Sequence, residues 1–117
     1  MRRKDRIGGA GERAAAALYR SRGYRVVARN WRSRIGELDL IVERSGVLVF
    51  CEVKTRSSAA FGGGYEGVTE AKQRKVRQVA EAFLAQTRMR PDACRFDVAS
   101  VAAGRGAPRV EIFEDAF

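Results

Sequence analysis

Histidine is absent from the chain, so any proton transfer must rest on a lysine, a carboxylate or a metal-bound water. Cysteine occurs only at 51 and 94, a spacing unlike that of a paired-thiol metal site, and a disulfide between the two is the less favoured alternative to free thiols. Two lone thiols in apolar surroundings suit a reducing compartment, and a cytoplasmic location is expected. No apolar run reaches transmembrane length, and the charged start (Met1, Arg2, Arg3, Lys4, Asp5, Arg6) is not followed by a signal-peptide core. No repeat, phosphate-binding Walker loop or dinucleotide fingerprint is present.

Acidic residues are also in the minority, 14 against 23 Lys and Arg, which gives a net charge of +9. Such a surplus predicts attraction to polyanions through phosphate neutralisation, which makes nucleic acid the expected partner. A membrane surface suits the chain less, because its basic stretches lack a broad apolar face. With 45% hydrophobic and 32% charged residues, the 117-residue chain has the balance of one folded domain spanning 1–117. Residues 1–8 are expected to form a flexible basic tail.

Gly8, Gly9, Ala10 and Gly11 suggest a loop opening a helix over 12–22, which Gly23 ends. Residues 24–31 are rich in β-formers. Residues 37–44 alternate, with Leu38, Leu40 and Val42 on one side and Glu37, Asp39, Ile41 and Glu43 on the other. Ser45-Gly46 is a turn signal, and 47–55 form a strongly β-prone run suited to a strand buried on both faces. A loop over 57–67 holds Phe61, Gly62, Gly63, Gly64 and Tyr65, a candidate cover for a site. Thr69 then caps a helix to about 87, with Val76, Val79, Ala80, Phe83 and Leu84 inward. After Pro91-Asp92, residues 95–101 and 109–113 read as two strands. The order α-β-β-β-α-β-β implies an α/β fold, a sheet with helices packed on it.

If Ser45-Gly46 is a two-residue hairpin loop, Arg44 faces Val47 and Asp39 lies opposite Glu52. Opposed residues have Cβ atoms roughly 4.5–5.5 Å apart, so two carboxylates meet on one face. Lys54, two residues on, emerges beside them, while Leu38, Leu40, Val42, Val49, Cys51 and Val53 make the other face apolar. Opposed like charges destabilise a sheet, and burial adds a desolvation cost. A divalent cation removes both. Mg²⁺ takes one or two carboxylates and leaves other positions to water and phosphate, and such an ion can polarise a phosphodiester and activate water. The bland alternative is a solvated salt-bridge network of Asp39, Glu52 and Lys54. A Glu-x-Lys triplet alone is common; the aspartate across the turn is what gives it weight.

Gly11-Glu12, the run from Gly36 to Ile41 and the run from Phe50 to Arg56 resemble the signatures of the YraN family of small bacterial proteins. Asn30, Phe61-Gly62, Lys72, the run from Arg95 to Val98 and Ala116-Phe117 also match. The family is similar to archaeal Holliday junction resolvases and is identified with the PD-(D/E)xK nuclease superfamily. The resemblance implies a restriction-endonuclease-like core with a mixed central sheet flanked by helices. It implies an active centre of Asp39, Glu52 and Lys54, with Glu12 added from the first helix. It also implies a metal shell of Glu12, Asp39, Glu52 and the Val53 carbonyl around Mg²⁺ or Mn²⁺.

Around this centre, Arg32, Arg34 and Arg56 flank the hairpin and are expected to position phosphates. Lys72 and Lys75, three apart on the second helix, could follow one phosphate path, though a basic helix face is most often simply solvated. Glu37 is either a neighbour of the metal ligands or a strand-end charge, Trp31 is expected in the core rather than under a base, and Asp97 is expected to pair structurally with an arginine. The expected function is metal-dependent DNA endonuclease, hydrolysing phosphodiester bonds on branched or damaged DNA. The alternatives are a non-catalytic nucleic-acid-binding module that keeps the fold, or an adaptor whose basic face meets an acidic protein. Two-fold branched DNA would suit a homodimer, by analogy only.

Overall fold

A computed structural model describes residues 3–56 and 67–117, the side chains of 3–8 aside. In chain order the elements are α1 (Arg3–Ser21), β1 (Arg25–Ser33), β2 (Gly36–Arg44), β3 (Val47–Arg56), α2 (Glu70–Thr87), β4 (Ala93–Ala102) and β5 (Arg109–Phe113). The strands form one sheet in the order β1-β2-β3-β4-β5. The β3–β4 pair is parallel and the other three are antiparallel. The fold is thus mixed α/β with the element order read from the sequence. The expected covering segment from Phe61 to Tyr65 lies outside the described residues.

Alternation along β3 places the helices. Val49 and Cys51 pack with Ala15, Ala16 and Tyr19 of α1. Leu48 and Phe50 pack with Val76, Val79, Ala80 and Phe83 of α2. Successive strand residues point to opposite faces, so the helices cover opposite faces and β3 is buried on both, as its composition predicts. Thr69 caps α2 as expected, its Oγ1 accepting the Lys72 N–H at 3.2 Å. Arg88 ends the helix in the left-handed region and donates its N–H to the Leu84 carbonyl at 2.8 Å.

Three expectations need correction. First, α1 begins at Arg3, so the Gly8–Gly11 loop and most of the 1–8 tail carry helical backbone. Each internal glycine costs a helix about 1 kcal/mol relative to alanine, yet packing requires one of them. A Cβ on Gly11 would run into Thr55 Oγ1, so the absent side chain lets α1 lie close against β3. Second, Leu38 packs with the α2 cluster while Leu40 and Val42 pack with α1. The register of β1 with β2 passes from Arg29↔Leu40 to Trp31↔Leu38, and between them Asn30 has φ 53°. The alternation of β2 breaks at Asp39, which the pairing with each neighbouring strand skips. Third, the strands run slightly longer than expected, β1 to Ser33, β3 to Arg56 and β4 from Ala93.

Trp31 packs edge-on against Phe83 at 5.2 Å between ring centres, a partly buried core contact. Asp97 is fully buried and pairs with Arg95, as expected. Arg95 donates Nε to Oδ1 and Nη2 to Oδ2, both at 2.9 Å. The Tyr19 hydroxyl donates to Oδ2 at 2.7 Å and the Asp115 N–H to Oδ1 at 3.0 Å. This network satisfies a buried charge and ties α1, β4 and the C-terminal residues together. Both cysteines are free, Cys51 buried and Cys94 exposed. Among the described residues, no helix is long and apolar enough to cross a membrane.

Candidate functional site

The β2–β3 turn adopts the predicted two-residue form. Ser45 (φ 52°) and Gly46 (φ 81°) are both left-handed, the backbone a tight hairpin requires. Pairing runs from Arg44↔Val47 to Leu40↔Cys51. Continued one step, that register sets Asp39 across from Glu52, but the main-chain ladder stops short of them. Asp39 instead turns its carboxylate to β3, where Oδ2 accepts the Val53 N–H at 2.9 Å. The Asp39 and Glu52 carboxyls also interact with one another electrostatically. Asp39 is likewise skipped by the register with β1, opposite left-handed Asn30. The site therefore forms where β2 parts locally from both neighbours, leaving the Asp39 carboxylate free to accept the Val53 N–H.

Glu12 reaches the site from α1. With Ala15, Ala16 and Tyr19 it forms one buried stripe, and it is only 6% exposed. A carboxylate in such a stripe is far from its usual solvated place. Burial, followed by the charge of Asp39, raises the Glu12 carboxyl to about 7. A hydrogen bond from the Asn30 side chain opposes that rise. Glu52 is also raised to about 7, by burial first and the charge of Asp39 second. Asp39 is raised by burial, with the Val53 N–H pulling the other way.

Glu12 Oε1 is buried without a hydrogen-bond partner, an arrangement that costs about 1–3 kcal/mol or more for a charged group. Among the described residues, no three Asp, Glu, Cys or His side chains close into a ready cage. The arrangement is the Asp39–Glu52 pair, with Glu12 in electrostatic reach of Asp39. That donor set suits a hard cation such as Mg²⁺, which keeps several waters and takes one or two carboxylates. The contact observed for Val53 is its N–H to Asp39.

Lys54 shares the face of β3 that carries Glu52, by alternation. It is half-buried and, with Val53, Thr55 and Arg56, lines an open depression of about 360 Å³. The ammonium group at ion-pair distance from Glu52 is that of Lys72, whose Nζ lies 3.4 Å from Oε2. Lys75 is exposed, with its aliphatic stem near Gly36. Arg32 Nε pairs with Glu37 at 3.2 Å, so Glu37 serves the β1–β2 edge. Arg34 is exposed in the turn between these strands.

The structure thus brings Asp39 and Glu52 together, with Glu12 in electrostatic reach of Asp39, Lys54 on the Glu52 face of β3 and Lys72 joining from α2. Two contributions lay outside the sequence reasoning. The Asn30 side chain counters the rise in the Glu12 carboxyl, and its signal was an asparagine inside a β-prone run, a residue that tolerates left-handed backbone. Lys72 meets Glu52, whereas the sequence reading gave it a phosphate-side contact on a basic helix face.

Comparison with known proteins adds a family. The model of the family described as "Uncharacterised protein family UPF0102" matches residues 11–101. A UPF0102 protein of Symbiobacterium thermophilum is 48% identical over 113 residues, covering 96% of each chain. One from Beutenbergia cavernae is 47% identical over 112 residues, covering 95% of each. One from a Parafrankia species is 43% identical over 118 residues, covering 100% of each.

Proposed function

The chain belongs to the uncharacterised protein family UPF0102, and from that premise and the geometry of its carboxylates we propose that it is a metal-dependent DNA endonuclease with a restriction-endonuclease-like core. One observation carries the reading: the pairing of half-buried Asp39 with buried Glu52 at the parted end of the hairpin, with Glu52 raised to about 7 and 7% of its side chain exposed. Two adjoining carboxylates, one of them buried, are costly in a structural role, and a divalent cation turns that cost into binding energy.

In this reading Asp39 and Glu52 hold Mg²⁺ or Mn²⁺, and Glu12 contributes a further carboxylate from α1. Bound there, the ion supplies polarisation of a phosphoryl oxygen and a lowered pKa for water. Lys54 stabilises negative charge developing on the phosphate being attacked. Arg32, Arg34, Arg56 and Lys75 position flanking phosphates. The +9 net charge supports attraction to a nucleic-acid backbone. Branched or damaged DNA is the proposed substrate class.

The test is a cleavage panel of linear, flapped and four-way DNA with Mg²⁺ or Mn²⁺, run beside Glu52→Ala and Lys54→Ala. Product should require metal, vanish with chelator and be lost in both variants. Chelator-resistant cleavage, or variants as active as the wild type, would refute the assignment. Salt-sensitive binding without product in any metal would favour the non-catalytic nucleic-acid-binding module.

A further inference from the structure

Lys72 sits in the first turn of α2, where the helix dipole disfavours a positive charge. Its main chain is fixed, because the N–H is held by the Thr69 cap. Its side chain is 47% exposed, against 7% for Glu52. The Nζ–Oε2 separation of 3.4 Å is long beside the 2.7–2.9 Å typical of a charge-assisted hydrogen bond. The ammonium acts electrostatically on Asp39 as well as on Glu52. Lys72 is therefore a cation loosely placed against both carboxylates, on a stem that can swing into water.

We propose that Lys72 is a resident counterion that a divalent metal must displace from the Asp39–Glu52 pair, so that metal uptake is an exchange of one cation for another. The inference rests on the metal-site reading above and adds a device to it. The ammonium neutralises part of the pair's charge while the site is empty of metal. A dication entering between the carboxylates repels the ammonium, which moves outward along its exposed stem. Lys72 thereby sets the metal affinity from outside the ligand shell, as a positioning residue.

The experiment titrates the full chain with Mn²⁺, following free Mn²⁺ by its paramagnetic resonance signal. Conditions are ~20 mM salt, to limit screening, and pH about 8.5, to limit proton competition. Lys72→Met should bind Mn²⁺ about three- to tenfold tighter than wild type. Lys72→Arg, which keeps the cation, and Arg74→Met, which removes a charge elsewhere on α2, should each stay within about twofold. Without metal, Lys72→Met should melt below the wild type; with saturating Mn²⁺ the gap should close or reverse. If Lys72→Met does not fold, Lys72→Gln takes its place. Wild type that binds Mn²⁺ while the Met variant binds it no tighter overturns the exchange alone. Equal tightening by Arg74→Met also overturns it, as a bulk charge effect. Failure of every form to bind Mn²⁺ overturns the metal site and the exchange together.

Discussion

Glu12→Gln should make the metal-free protein more stable at alkaline pH. The Glu12 carboxyl is raised from 4.5 to about 7, by burial and then by Asp39. A folded-state value above the unfolded one means that its contribution is fully present below about pH 4.5 and is lost as pH rises through about 7. Ionising Glu12 in the native state therefore costs about 3 kcal/mol. At 6% exposure, solvent screening relieves little of this. Glutamine keeps the shape, never ionises and can offer an amide N–H toward Asp39. In chelator, wild type and variant should agree to within about 1 kcal/mol at pH 5 and diverge to about 2–3 kcal/mol by pH 8.5, the variant being the more stable. Urea unfolding at both pH values measures this, with an unchanged slope showing that only stability moved. For a chain of this length the melting temperature should separate by roughly 10 °C at the higher pH. A variant no more stable than wild type at pH 8.5 would refute the reasoning, as would a gap already complete at pH 5. Saturating Mg²⁺ should shrink the difference, because the wild type gains more from binding.

Asp97→Asn should cost about 3–5 kcal/mol, because Arg95 and Tyr19 lose the charge they converge on; a loss below about 1 kcal/mol in thermal unfolding would show the network to be dispensable. Gly11→Ala should destabilise by about 1–3 kcal/mol despite alanine's better helix propensity, through its collision with Thr55. Adding Thr55→Ala should recover most of that loss, and a double variant as unstable as the single would place the cause elsewhere.

The hairpin register was legible because it rests on local chemistry. Ser45-Gly46 fixes the loop length and the apolar alternation fixes the faces, so the Asp39–Glu52 meeting follows from two short stretches of chain. Glu12 required more: its helix was visible, but the alanine stripe that buries it also includes Gly11, and the glycine run suggested a loop. Only packing against Thr55 shows why glycine belongs in that helix. The left-handed backbone at Asn30 escaped because one such residue leaves composition and period nearly unchanged. Lys72 escaped for a different reason. Its partner lies across the β3–α2 connection, and no periodicity within α2 reports which strand its first turn overhangs.

Gly11 and Tyr19 clasp α1 at two levels, one by close approach to β3 and the other by the bond to Asp97. Glu12 lies between these anchors, on a rod that turns about 100° per residue. One residue inserted or deleted between 12 and 19 would keep the rod but spoil its phase, swinging the carboxylate away from the sheet or tearing the tyrosine from its partner. Within this span, spacing is as strict a requirement as side-chain identity.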